Sequence, residues 1–194
     1  FYANDILVHN SQLVGVITED MELLVSSKGF FGNNFSIIES ERNIYWKAVR
    51  NTKIKEIIMT AFPGQFIQFF AEIIPCQKGY DYGFTEKTLR IYRLEVDGVV
   101  YNISQLMEMA KTNEHIKPII DLWVPILYIG KFDIEKFTQV SKGTEKVSGK
   151  NLHGKEGCVI EPIVPRLSKV GNFQLYVKLL NPKFKGADND DAMS

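Results

Sequence analysis

Phe66-Ile67-Gln68-Phe69-Phe70-Ala71-Glu72-Ile73-Ile74-Pro75 is the stretch whose reading decides the fold. The run is nearly continuous in apolar residues, too short to argue for a helix, and rich in isoleucine and phenylalanine. That combination predicts a buried central strand. One residue breaks the pattern. Glu72 places a carboxylate inside the apolar run, which costs several kcal/mol unless a partner compensates it. Glu72 therefore reads either as half of a structural ion pair or as a functional carboxylate.

The neighbouring segments supply partners for such a strand. Leu89–Val96 and Val99–Ile103 flank Asp97-Gly98, a pair suited to the two positive-φ positions of a tight hairpin. Upstream, Gln12–Ile17 and Glu22–Ser26 flank the polar turn Thr18-Glu19-Asp20 and read as a second hairpin, with Ser26-Ser27-Lys28-Gly29 closing it. Trp123–Ile129, Gly157–Ile163 and Asn172–Leu180 are further strand segments. Helices are expected over Asn43–Thr60, over Ser104–Lys111 behind a serine cap, and over Asp133–Val140 behind an aspartate cap. Trp46 and Trp123 read as core. The sum is an α+β domain of antiparallel β-sheets with flanking helices. Residues 1–186 read as one domain and 187–194 as a disordered acidic tail.

Composition narrows the functions. The chain has 194 residues, 23 Lys+Arg against 23 Asp+Glu, and a net charge of zero. This excludes a polycation that coats nucleic acid indiscriminately and leaves a local basic groove open. No apolar run reaches the ~18 residues of a membrane span, so no membrane partner is expected. Cys76 and Cys158 both sit in apolar runs and read as buried free thiols, which fits a cytoplasmic setting. The chain begins at Phe1 rather than methionine, so residues upstream and an accessory domain outside this chain are expected.

Motifs with a fixed chemistry are absent: there is no GxxxxGK[ST] loop, no GxGxxG, no HExxH. His9, His115, His153 and the cysteines lack zinc-ligand spacing. What remains is a set of polar residues carried on strand segments. Beside Glu72 stand Lys155-Glu156-Gly157-Cys158-Val159-Ile160, with a charged pair at the mouth of a strand, and Lys178, followed by Lys183 and Lys185. Two carboxylates and several lysines directed into one cleft suit a metal-nucleotide, with carboxylates for Mg²⁺ or ribose and lysines for phosphate.

The order of these segments resembles the nucleotidyltransferase domain of ATP-dependent RNA ligases, in the covalent nucleotidyltransferase superfamily, over about residues 5 to 186. Val25-Ser26-Ser27-Lys28 resembles the element that follows the nucleophile, and Phe70-Ala71-Glu72-Ile73 the element whose glutamate contacts ribose. Gln77 through Tyr82-Gly83 resembles the glutamine and Tyr-Gly that follow it. Arg90-Ile91-Tyr92 resembles the strand whose aromatic stacks on adenine. Lys155 through Ile160 resembles the Arg-Glu-Gly-x-Val-Ile strand, whose glutamate, here Glu156, helps hold the metal. Tyr176-Val177-Lys178 through Asn181-Pro182-Lys183-Phe184 resembles the last motif, whose lysines grip the α-phosphate.

The resemblance implies the ligase nucleotidyltransferase (ATP-grasp-like) fold, ATP and AMP as ligands, Mg²⁺ or Mn²⁺, and RNA ends as substrate, in RNA repair. It implies that His9, Lys28, Glu72, Tyr92, Glu156, Lys178 and Lys183 bind the nucleotide, with Lys178 in a catalytic role. It also exposes departures. In Ile6-Leu7-Val8-His9-Asn10-Ser11, His9 falls on the Asp/His of the nucleophile motif and Ser11 on its Ser/Thr, but Leu7 falls on the lysine and Asn10 on the glycine. Leucine has no amine and cannot form the lysine–AMP bond that the family's mechanism requires. Ala71 replaces a glycine, Arg93 stands where an aspartate is common, and Leu180 where a second lysine is common. A nucleotide pocket without covalent chemistry is the alternative these departures imply.

Overall fold

The computed structural model describes residues 1–5, 11–33, 35–76, 80–164, 166, 169 and 175–183. In chain order the elements are β1 (Tyr2–Asn4), β2 (Gln12–Ile17), β3 (Leu23–Ser27), α1 (Lys28–Phe31), α2 (Ile44–Thr52), α3 (Ile54–Ala61), β4 (Ile67–Ile74), β5 (Thr88–Val96), β6 (Val99–Tyr101), α4 (Ile103–Met109), a 3₁₀ turn (Glu114–Ile116), α5 (Lys117–Asp121), β7 (Ile126–Ile129), α6 (Ile134–Val140), β8 (Gly157–Glu161) and β9 (Val177–Leu180). The fold is α+β, with antiparallel sheets and flanking helices, and the backbone gathers into two compact units, His9–Val124 and Phe1–Val8 with Pro125–Ser194. No helix among the described residues is long and apolar enough to cross a membrane.

The unit His9–Val124 is built on a five-stranded sheet in the order β3-β2-β4-β5-β6, with every ladder antiparallel. β4 is its central strand, as the apolar run predicts. Phe69, Ala71, Ile73, Leu13, Ile91 and Leu94 are fully buried. Gly15 lies opposite Phe69 in the ladder, and a Cβ there would come within 2.1 Å of the Phe69 ring, so the glycine makes room for the aromatic. The β5–β6 turn has Asp97 and Gly98 at positive φ, as the hairpin requires.

Several segments depart from the sequence reading. The single helix expected over Asn43–Thr60 is two helices, because Lys53 adopts a left-handed φ of 53° and ends α2 while opening α3. α4 is capped by Asn102, in a reciprocal pair with Gln105, and not by Ser104; Ile103 belongs to this helix rather than to β6. Ser26 and Ser27 end β3, and Lys28 opens the short helix α1 instead of closing a hairpin. The edge of β3 is covered by the following segment: Ile37 N donates to Val25 O at 2.7 Å and Ser26 Oγ to Phe35 O at 2.7 Å.

The other unit is a four-stranded antiparallel sheet in the order β7-β1-β8-β9. Its core joins Ala3, Phe137 of α6, Cys158 and Ile160, with Leu127, Tyr128 and Leu179 packed against them. Asp133 caps α6 as expected, accepting from the Glu135 and Lys136 amides. The expected strand Trp123–Ile129 is shorter, since only Ile126–Ile129 is strand. Residues 172–174 and 187–194 lie outside the described residues.

Candidate functional site

Glu72 sits on β4 with its side chain 1% exposed. Register places it between Gln12 on β2 and Arg90 on β5. Ser11 Oγ donates to Glu72 Oε2 at 2.9 Å. Arg90 lies 5.1 Å from the Phe84 ring centre, and its Nη1 donates to the carbonyl of Leu89. Burial pulls its basicity below the usual guanidinium value. The motif-like carboxylate is thus buried and held by a hydroxyl, which no pattern local to residues 66–75 announces.

Tyr92 occupies a bulge. Phe70 pairs with Arg93 and Ala71 with Ile91, so Tyr92 is the extra residue of β5. The bulge lets Tyr92 and Arg93, consecutive in sequence, both reach Phe70: the Tyr92 ring is 6.3 Å from the Phe70 ring, and the Arg93 guanidinium 5.2 Å from it. Phe31 of α1 meets Phe70 edge-on at 6.3 Å, which brings the helix that Lys28 opens to the same aromatic. Lys28 itself is exposed. Phe70 is the hub of this group, and sequence reading passed over it because a phenylalanine in an apolar run looks like core.

Beside Glu72, the Cys76 thiol is exposed, not buried as its apolar surroundings implied. Desolvation raises its pKa and the Glu72 charge adds to this, while Lys87 and the Ser11 hydroxyl pull it back. Tyr45 is raised by desolvation first, then by Cys76 and Glu72.

In the other unit, Glu156 precedes β8 and is 2% exposed. Its carbonyl accepts the Asn181 amide at 2.8 Å, and Asn181 Nδ2 donates to Lys155 O at 2.9 Å. Gly157 is required next to it: a Cβ would stand 2.1 Å from the Leu179 carbonyl oxygen of β9. Lys178 pairs in register with Val159 and is exposed, as is Lys183, whose amide donates to Asn181 Oδ1. Lys155 departs from the expectation of a cleft lysine. It is 5% exposed and its Nζ donates to Val140 O at 3.0 Å.

Lys155 belongs to a buried charge network that the sequence did not announce. Asp5 is 5% exposed and accepts the Lys146 amide at 2.5 Å. Burial raises its pKa to about 6, against the pull of that hydrogen bond and of Lys155. Burial lowers Lys155, which Asp5 partly offsets. Glu145, with no exposed surface, would be raised by burial alone. Hydrogen bonds from the Ser148 hydroxyl and from the Ser148 and Leu152 amides outweigh that and lower it.

A divalent cation accompanying a nucleotide commonly takes one or two carboxylates plus phosphate oxygens. The buried Glu156 carboxylate fits that donor chemistry. No group of three or more His, Cys, Asp and Glu among the described residues could hold a metal alone. Leu7 and His9 lie outside the described residues, as does Lys185. Glu72, Tyr92 and Lys28 lie in one unit, where Tyr92 and α1 meet at Phe70; Glu156, Lys178 and Lys183 lie in the other.

No protein-family model and no curated protein matches the chain. Solved structures do. The fold resembles that of Naegleria gruberi RNA ligase. The structure of that enzyme with PPi superposes with a TM-score of 0.65 at 16% identity, covering 93% of this chain and 49% of that one. A point variant with AMP and Mn gives 0.66 at 16% identity over 93% and 49%, and another with ATP and Mn gives 0.67 at 15% identity over 94% and 49%. The chain spans about half the length of the solved structures it matches.

Proposed function

We propose that this chain is an RNA ligase-like nucleotidyltransferase domain that binds ATP and AMP, with Mg²⁺ or Mn²⁺, and serves the joining of RNA ends through adenylylated intermediates. One observation carries the reading: on a fold that resembles an RNA ligase, the motif-like carboxyl groups of Glu72 and Glu156 are buried on or beside strands β4 and β8. In this reading Glu72 accepts from the ribose and Tyr92 stacks on the base. Glu156 would hold the cation, and Lys28, Lys178 and Lys183 would offset phosphate charge; His9 is a further nucleotide residue that the resemblance implies. The cation supplies charge neutralisation at the phosphates. The free thiols Cys76 and Cys158 fit a cytoplasmic setting.

A second reading, a relative that binds nucleotide or RNA without chemistry, is favoured by Leu7 in the position of the nucleophilic lysine. One experiment separates them. The parent chain and the Leu7→Lys/Asn10→Gly variant are incubated with α-labelled ATP and Mg²⁺ or Mn²⁺. An acid-labile protein–AMP adduct on the parent supports the first reading. An adduct on the double variant alone supports the second. No adduct on either, with no rise of melting temperature in millimolar ATP, removes both.

A further inference from the structure

We propose that the loop carrying Lys142, Lys146 and Lys150, held in shape by the buried Glu145 side chain, is a surface on which this chain grips the phosphate backbone of RNA. The inference rests on the RNA-joining reading above and adds to it a contact outside the nucleotide residues.

The chain is neutral in sum, and in this loop the balance breaks at the surface. Between Ser141 and Gly157 stand Lys142, Lys146, Lys150 and Lys155 against Glu145 and Glu156. Both glutamates are buried, Glu145 at 0% and Glu156 at 2% exposure. Lys155 is buried as well, with its Nζ on Val140 O. Lys142, Lys146 and Lys150 are exposed. The stretch therefore shows solvent three lysines and no carboxylate.

The loop is also ordered before any partner arrives. An antiparallel bridge between Thr144 and Gly154 closes it, with Glu145 N donating to His153 O at 3.0 Å and Lys155 N to Gly143 O at 2.9 Å. Inside, the Glu145 carboxylate collects three donors of the loop itself: the Ser148 hydroxyl, the Ser148 amide at 2.8 Å and the Leu152 amide at 2.9 Å. The Lys146 amide is bonded to Asp5 Oδ2, and Lys146 Nζ donates to Asn151 Oδ1 at 2.5 Å. A preformed surface spares its ligand the cost of ordering it. Glu145 is thus a positioning residue: it shapes the loop from within and keeps its own charge off the surface.

Ammonium groups are point charges that suit phosphates and read no base, so the contact is independent of sequence. The loop runs through Gly154 and Lys155 directly into Glu156, the carboxylate assigned to the cation. That continuity favours an RNA strand over an anionic lipid surface as the polyanion held here.

The test is fluorescence anisotropy of a short 5′-phosphorylated single-stranded RNA titrated with the chain at several salt concentrations. Binding to phosphatidylserine vesicles and the melting-temperature rise in ATP are measured alongside. Lys142→Gln/Lys146→Gln/Lys150→Gln is expected to weaken RNA binding by about tenfold and to lower the salt slope by about 2, the share of three phosphate contacts on a single strand. Its rise of melting temperature in ATP is expected to match the parent's. The three lysine-to-arginine changes keep the charge and are expected to bind within about threefold of the parent. Lys47→Gln/Lys111→Gln/Lys117→Gln changes the net charge equally on exposed lysines of the other unit and is expected to leave the salt slope unchanged. Glu145→Gln makes the chain more positive, yet it is expected to weaken RNA binding, because one amide oxygen cannot serve the donors that two carboxylate oxygens hold. Should the triple variant fail to fold, Lys142→Gln/Lys150→Gln leaves the Lys146–Asn151 bond in place and is expected to lower the slope by about 1. A folded loop variant with the parental affinity and slope, a control triple that loses as much, or a loop variant that loses vesicles and keeps RNA overturns the inference and leaves the RNA-joining reading standing. Tighter RNA binding by Glu145→Gln overturns the positioning role of Glu145. A parent that binds no RNA overturns this inference and the RNA part of that reading together, while the ATP measurement still decides the nucleotide part.

Discussion

Cys76 carries its thiol at the surface next to Ser11, Glu72 and Lys87, and its acidity reports on the buried carboxylate. Burial is the largest influence raising its pKa, and the Glu72 charge works in the same direction. Neutralising that charge with Glu72→Gln should make the thiol more acidic. The expected outcome is a shift to lower pH in the midpoint of the iodoacetamide alkylation rate at Cys76, measured against the parent. An unmoved midpoint would mean that Glu72 is not ionised beside it. The same neighbourhood shows what was legible in the sequence. Glu72 and Glu156 stand out because a carboxylate bordering or interrupting an apolar run asks for an explanation. The bonds of Ser11 and Asp5 do not, because their partners are far along the chain: Glu72 is 61 residues from Ser11, and Lys146 is 141 from Asp5. A hydrogen bond across such a separation leaves no periodic trace.

At the scale of elements, strands were read well where turn chemistry bounds them. β2 matches its expected limits, and the Asp97-Gly98 hairpin forms as its residues require. The break between α2 and α3 was invisible because lysine is an ordinary helix former; only its left-handed φ of 53° separates the two. The short β1 and α1 were missed because three or four residues carry no period to detect. The packing of Phe69 over Gly15 gives a direct test of the central ladder. Gly15→Ala puts a Cβ 2.1 Å from a ring that is fully buried and has nowhere to retreat. The expected cost is about 1–3 kcal/mol, read as a lower urea midpoint with an unchanged slope. A variant as stable as the parent would mean that the ring moves freely.

At the scale of the whole molecule, zero net charge conceals a costly arrangement inside. Asp5 titrates near 6 in the fold and near 3.8 when unfolded. Below the lower value both states hold the proton, and the stability linked to this group is fully present. Between the two the folded chain keeps the proton and the unfolded chain has released it, so stability falls as pH rises. Above about 6 the loss is complete, at roughly 3 kcal/mol. Asp5→Asn keeps an acceptor for the Lys146 amide and carries no charge. It should flatten the stability profile between pH 4 and 6 and raise the melting temperature at pH 7.5 by about 5–10 °C. A profile as steep as the parent's would assign the pH dependence to other groups.

Of the two outer strands β3 and β9, β3 is bonded at Val25 and Ser26 by the segment that follows it. β9 is the outermost strand of its sheet among the described residues, and Val177, Lys178 and Leu180 on it are exposed. An apolar border strand is a template on which a second chain can grow a sheet, and a lysine in its middle is a common deterrent, because stacking like charges is unfavourable. Lys178 therefore has a colloidal reason to be a lysine, independent of any phosphate.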